Sequence, residues 1–212
     1  MELIKGQRNG RAVWRVERPG GMVSTLKTWP TWSKCLLTFP LGIAQPQRQR
    51  RGADRLDRIG VLTPPIIAGP KVAGRLCTLE LEWVEGRTAL DHCVSGDPDE
   101  VGLRMVAAQL GSNIALIAHA GYVHRDMKLS NIIIESKADG PQAWVIDTIG
   151  IRRCASKSTA IFRMVERLLV ELGAHRNHLD AAWLPLLRAA LKPMSKSIRQ
   201  AVLVQLRAHQ WS

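Results

Sequence analysis

Residues Tyr122–Ile134 read YVHRDMKLSNIII, and residues Trp144–Gly150 read WVIDTIG. In the first stretch Asp126, Lys128 and Asn131 lie between the apolar runs Tyr122-Val123 and Ile132–Ile134. In the second, Asp147 follows the apolar run Ala143–Ile146. This pattern predicts a strand, a polar loop, a second strand, a hairpin turn at Asp139-Gly140, and a third strand that ends in a carboxylate. Such a path gathers Asp126, Asn131 and Asp147 at one end of a small sheet. Phosphoryl transfer from a nucleotide asks for this set: a carboxylate facing the acceptor hydroxyl, a cation beside the moving group, and two oxygen ligands for magnesium. A solvated connection between strands could carry the same residue types. The loop and the later aspartate occur together at strand ends, however, and that joint occurrence favours chemistry. His124 reads as a structural residue that braces the loop.

Outward from this stretch, Glu100–Ala120 is an amphipathic helix. Leu103, Val106, Ala107, Leu110, Ile114 and Ile117 share one face, and Gly121 stops it. Beyond Asp147, a helix carries Ile161, Met164, Val165, Leu168, Leu169 and Leu172 up to Gly173. Two more are expected around Leu179–Leu191 and Ser195–His209. Towards the N-terminus, Gly6 and Gly10 flank a polar turn before a half-buried strand at Ala12–Val16. Pro19-Gly20-Gly21 turns the chain into a second strand, Met22–Trp29, which carries Lys27. Pro30–Pro46 is irregular. Gln47–Ile59 is a basic helix stopped by Gly60, and Arg48, Arg50, Arg51 and Arg55 read as its solvated face. Val61–Gly69 is a Pro-rich connection, and Arg75–Val84 is a strand running into Glu82–Gly86.

The bulk numbers set limits. A chain of 212 residues with 46% apolar content can bury one substantial core, or two small ones that share a cleft. Cys35, Cys77, Cys93 and Cys154 lie far apart without metal-ligand spacing, and read as free thiols of a reducing compartment. Met1–Gly10 lacks the apolar stretch of a leader, and the apolar segment Val101–Val123 is interrupted by Arg104, Gln109, Ser112, Asn113 and His119. A cytoplasmic protein is expected. The net charge of +12 favours anionic partners such as nucleotide phosphates, nucleic acid, anionic lipid or acidic glycans, without choosing among them.

The order H-R-D-x-K-x-x-N followed by an isolated I-D is similar to the catalytic loop and metal-binding aspartate of protein kinases. Asp147 is followed by Thr148-Ile149-Gly150-Ile151-Arg152-Arg153 and then by the helix FRMVERLLVELG, with no Ala-Pro-Glu segment. In this, and in the later DAAWLPLLRAAL, the chain resembles the lipopolysaccharide kinase (Kdo/heptose kinase) family of the protein-kinase-like superfamily. The resemblance implies an α+β, two-lobed protein-kinase-like fold. Residues 1–84 would form a small antiparallel-sheet nucleotide-binding lobe, and residues 85–212 a mostly helical catalytic lobe. It implies ATP-dependent transfer to a sugar hydroxyl of the lipopolysaccharide inner core, on the cytoplasmic face of the inner membrane, with Mg2+ as cofactor. Asp126 would orient or deprotonate the acceptor and Lys128 would steady the phosphoryl group. Asn131 and Asp147 would hold magnesium. Lys27, with the glycine turn at Gly6 and Gly10, would bind the nucleotide phosphates, and the backbone of Glu82 and Val84 would bind adenine. The acceptor would be an anionic glycolipid, reached through peripheral membrane contact. Nucleic acid is not excluded by the charge.

One departure stands out. Kinases pair the strand lysine with a glutamate from the helix that follows, and Gln47–Ile59 contains none; Gln49, Asp54 and Asp57 are the nearest substitutes. Two other readings therefore stay open: a compact atypical serine/threonine protein kinase, and a non-catalytic pseudokinase that keeps the fold for an anionic partner.

Overall fold

The computed structural model describes residues 1–6, 11–31, 38–94, 100–172 and 179–209. In chain order its elements are β1 (Glu2–Gly6), β2 (Ala12–Glu17), β3 (Val23–Pro30), α1 (Gln45–Arg58), β4 (Ile66–Ala73), β5 (Leu76–Glu82), β6 (Arg87–Thr88) and α2 (Ala89–Val94). There follow α3 (Glu100–His119), β7 (Tyr122–His124), β8 (Ile132–Lys137), β9 (Gly140–Val145), β10 (Ile151–Arg153), α4 (Lys157–Leu172), α5 (Leu179–Leu191) and α6 (Lys196–His209). The fold is a mixed one: an antiparallel five-stranded sheet in the order β1-β2-β3-β5-β4, two small sheets, and several helices.

The strand–loop–strand reading of 122–145 holds. β8 and β9 form a hairpin closed at Lys137↔Gly140, and β7 pairs with β10 rather than with its sequence neighbour. The expected helices are present as α1 and α3 to α6, while α2 is not among those read from the sequence; the stop at Gly173 lies outside the described residues. Two sequence expectations are corrected. The sequence reading places no strand before Ala12, yet Glu2–Gly6 pairs with β2 as the sheet's outer strand. The end of the Val61–Gly69 connection is part of β4, which the prolines and Gly69 had disguised. β4 is an edge strand with register shifts between Ile66 and Lys71, and edges and bulges are where a sheet tolerates proline.

α3 has the length and hydropathy of a membrane-crossing helix, despite its interruptions. It packs against α4, α5 and β9. Val106, Ala107, Leu110, Ile114 and Ile117 are buried there with Ile132 and Val145 from the hairpin and Ile161, Met164 and Leu168 from α4. This core lies directly beneath the 122–131 loop. A separate cluster, Trp29, Cys77, Leu79 and Leu81, fills the inner face of the large sheet. Cys77 and Cys154 are free thiols; Cys35 lies outside the described residues.

Polar residues are buried in that sheet as well: Ser24 and Thr28 on β3, and Glu80 on β5. Glu80 on β5 is 7% exposed and accepts from Arg18 Nε at 2.8 Å and from Ser24 Oγ at 2.6 Å. The Arg18 hydrogen bond holds Glu80 below the usual carboxylate range against the opposing effect of burial, with Ser24 adding to Arg18. A carboxylate depressed in the folded state stabilises the fold above its unfolded pKa, about 4.3, and that contribution is lost as pH falls through the lower folded value. Arg18→Ala is therefore expected to lower the thermal midpoint by several degrees at pH 7. The gap to wild type should close below about pH 4, which melting curves across pH will check.

Candidate active site

The loop between β7 and β8 cannot run extended, because Asp126 must turn back before the apolar run Ile132–Ile134 enters the core. A short 3-10 turn, Leu129–Asn131, makes that reversal with Leu129 buried beneath it. Asn131 Nδ2 donates to the Asp126 carbonyl at 3.0 Å and lies 3.4 Å from its Oδ2. The Asn131 carbonyl accepts the Ile146 N–H at 3.0 Å, which fixes the chain just before Asp147 against the loop.

His124 ties the two segments together. Fully buried, it donates from Nε2 to the Asp147 carbonyl at 2.6 Å and accepts the Asp126 N–H on Nδ1 at 3.2 Å. One nitrogen donating and the other accepting defines a neutral imidazole. Burial pushes its pKa below the ordinary histidine value, outweighing the Asp147 carbonyl and the nearby carboxylates. The bracing expected of His124 is thus a pair of hydrogen bonds. Gly150 leaves room for them: a Cβ there would lie 3.1 Å from Nδ1 and 3.2 Å from the Asp126 nitrogen.

The Asp126 carboxylate lies between two cations. Lys128 Nζ is 3.0 Å and Arg167 Nη2 3.2 Å from Oδ1. Burial raises the Asp126 pKa, but hydrogen bonds and charge from Lys128 and then Arg167 outweigh it, so the group stays below the usual aspartate value. Such a carboxylate is a weak base and a strong hydrogen-bond acceptor, suited to orienting a hydroxyl. One turn beyond Arg167, Glu171 accepts from Ser130 N at 3.1 Å and Ser130 Oγ at 2.7 Å. Helix α4 therefore grips the loop at two points.

Asp147 sits beyond the end of β9, with Oδ1 accepting the Ile149 N–H at 3.3 Å and Oδ2 lying 3.6 Å from Arg11 Nη2. Lys27, opposite Leu79 on β5, donates from Nζ to the Ile146 carbonyl at 2.8 Å. Burial of its ammonium pushes its pKa below the usual lysine range; Asp147 opposes this and Arg11 adds to it.

Lys27, Asp126, Lys128, Asn131 and Asp147 thus come together from separate parts of the chain. Gly6, Glu82 and Val84 stand apart from this hydrogen-bonded cluster among the described residues. Gly6 closes β1 opposite Ala12 at φ +105°, where a Cβ would lie 2.1 Å from the Arg11 carbonyl. Gly10 lies outside the described residues. Glu82 ends β5 and spends its N–H on the Pro65 carbonyl at 2.8 Å, while Val84 is buried just beyond. Sequence reasoning missed Arg11, Arg167 and Glu171. The last two sit four apart in the FRMVERLLVEL helix, a spacing that puts them on one face, but the apolar stripe alone had been marked.

The oxygens present suit a hard dication. Asn131 keeps its side-chain nitrogen towards Asp126, which leaves its side-chain oxygen Oδ1 for a cation, and Asp147 supplies a carboxylate. Among the described residues no group of three or more His, Cys, Asp or Glu forms a closed metal cage. Two protein ligands completed by substrate phosphates is the usual way magnesium is held in nucleotide enzymes.

A model of the lipopolysaccharide kinase (Kdo/WaaP) family matches residues 13–178. The serine/threonine-protein kinase pkn2 of Myxococcus xanthus is 32% identical over 101 residues, which are 48% of this chain. The match spans 12% of that protein's length.

Proposed function

The chain belongs to the lipopolysaccharide kinase (Kdo/WaaP) family, and from that premise we propose that it transfers the γ-phosphoryl group of ATP to a sugar hydroxyl of the lipopolysaccharide inner core, on Kdo or heptose. The observation that carries this reading is the convergence of Lys27, Asp126, Lys128, Asn131 and Asp147 through the Ile146 carbonyl, His124 and the Asn131 amide. In this reading residues 1–84 are a nucleotide-binding lobe and residues 85–212 a catalytic lobe, with the cluster in the cleft between them. Asp126 orients the acceptor hydroxyl and receives its proton as the bond to phosphorus forms. Lys128 follows the transferring group. Lys27 leaves the Ile146 carbonyl for the nucleotide phosphates. Adenine is met by the carbonyl of Glu82, whose N–H is already committed to Pro65, and by the backbone of Val84. Asn131 and Asp147 would hold Mg2+, which when bound neutralises phosphate charge. A cytoplasmic site, peripheral at the inner membrane, follows from the acceptor, and the net charge of +12 suits its anionic surface.

The alternative acceptor is a protein hydroxyl. The pkn2 match favours that second reading, and the loop chemistry is the same for either acceptor. Radiolabelled ATP with magnesium, offered in parallel to purified core lipopolysaccharide and to a generic protein substrate, separates them. Label on the glycan supports the proposal, and label on protein replaces it with the second reading. Absence of ATP binding would mean that the fold serves an anionic partner without phosphoryl transfer.

A further inference from the structure

Helix α1 lacks the glutamate that its position calls for, and the structure selects among the three substitutes. Asp54 and Asp57 are exposed and line, with Arg50, Thr63 and residues 64–69, a separate cavity of about 520 Å³ against β4. Gln49 points the other way. It is 0% exposed, and its Nε2 donates to the Ile146 carbonyl at 3.1 Å, the same oxygen that Lys27 Nζ contacts at 2.8 Å. Two donors from α1 and β3 therefore meet on one acceptor immediately before Asp147.

The Gln49 side chain is also half satisfied. Its Oε1 is buried and has no hydrogen-bond partner. A buried acceptor left unpaired costs about 1–3 kcal/mol, so its retention asks for a partner at some stage of the working cycle. The helix holds the amide firmly: Thr148 Oγ1 donates to the Gln49 carbonyl at 2.6 Å, and Arg48 Nη2 reaches the Ile149 carbonyl at 3.4 Å. The charged groups facing Lys27 are Asp147 and Arg11; from α1 it meets this neutral amide.

We infer that Gln49 is a positioning residue for Lys27, its Oε1 being the acceptor to which the Lys27 ammonium turns when nucleotide phosphates draw it off the Ile146 carbonyl. The inference rests on the kinase reading and adds to it. The lysine is steered here by a dipole and not by an ion pair. No carboxylate from α1 then competes with Asp147 for the dication, and the acceptor geometry alone has to hold the ammonium on the phosphates.

The test is a double-mutant cycle on Mg-ATP affinity, measured by calorimetry, with melting curves to confirm that each variant folds. Gln49→Met, close in length and without an acceptor oxygen, is expected to weaken ATP binding about 10-fold. Gln49→Glu, which restores an oxygen, should bind within about threefold of wild type. In a Lys27→Met background the Gln49→Met change should have no further effect, because the residue acts through the lysine. Equal losses from Gln49→Met with and without Lys27, or a Gln49→Glu protein as weak as Gln49→Met, would overturn the assignment while leaving the kinase reading intact. A wild-type protein that binds no ATP would overturn the kinase reading itself, and this inference with it.

Discussion

Asp126→Asn is expected to lower phosphoryl transfer by about 10²–10⁴-fold, the usual contribution of a positioned carboxylate, while the protein folds as wild type. The side chain keeps its shape, and Asn131 and His124 hold the Asp126 backbone carbonyl and N–H, so both contacts stay in place. What is lost is the charge that Lys128 and Arg167 share at 3.0 and 3.2 Å. A comparison of kcat and KM locates the defect: an acceptor-orienting carboxylate should cost kcat at saturating ATP and leave ATP affinity nearly unchanged. The two cations also predict the pH behaviour. Because Asp126 is held below the usual aspartate range, its protonation should not limit activity until pH falls below about 4. An acidic limb centred near pH 6 would contradict its assignment as the group that meets the acceptor.

Gly52→Ala should produce the second large effect, and it acts through the fold. Helix α1 passes so near the strand end that a Cβ at Gly52 would stand 2.0 Å from the Thr148 carbonyl oxygen, which is backbone and cannot swing aside. The helix must move away, breaking the hydrogen bond from Thr148 to Gln49 and carrying Gln49 off the Ile146 carbonyl. Overpacking of this kind costs about 3 kcal/mol, a fall of roughly 6–12 °C in the thermal midpoint for a chain of this size. Gly20→Ala is the control. Gly20 has φ +87° but nothing within 4 Å of its Cβ position, so only the left-handed backbone is penalised, by about 1 kcal/mol. A Gly52→Ala protein that melts with wild type would show that α1 does not dock as described.

The sequence made some of this legible and hid the rest, for identifiable reasons. Asp126, Lys128 and Asn131 lie within one loop between apolar runs, and α3 shows its buried stripe at helical spacing. Both are local patterns, and the structure has the loop and the helix where the sequence placed them. β4 did not, because Pro64, Pro65, Gly69 and Pro70 look like a connection until the strand is seen at an edge with register shifts. The inward aim of Gln49, and the contacts of Arg11 and Arg167, were beyond reach for a different reason. Their partners are Ile146, Asp147 and Asp126, residues brought close by tertiary packing, and a polar side chain on a basic helix gives no sign that it faces inward. Gln49 could be named as a candidate from the sequence, but Asp54 and Asp57 could be separated from it only by seeing which way each one points.

The docking of α1 on Thr148 also bears on how this site could be blocked by small molecules. A compound that wedged α1 outward would have to enter the space behind the helix. Here that space is filled by the backbone of residues 148–149, and opening it would mean giving up the Thr148, Arg48 and Gln49 hydrogen bonds together. On the kinase reading proposed above, a competitor that leaves those bonds intact is expected to act at the proposed nucleotide position near Lys27 and not behind α1.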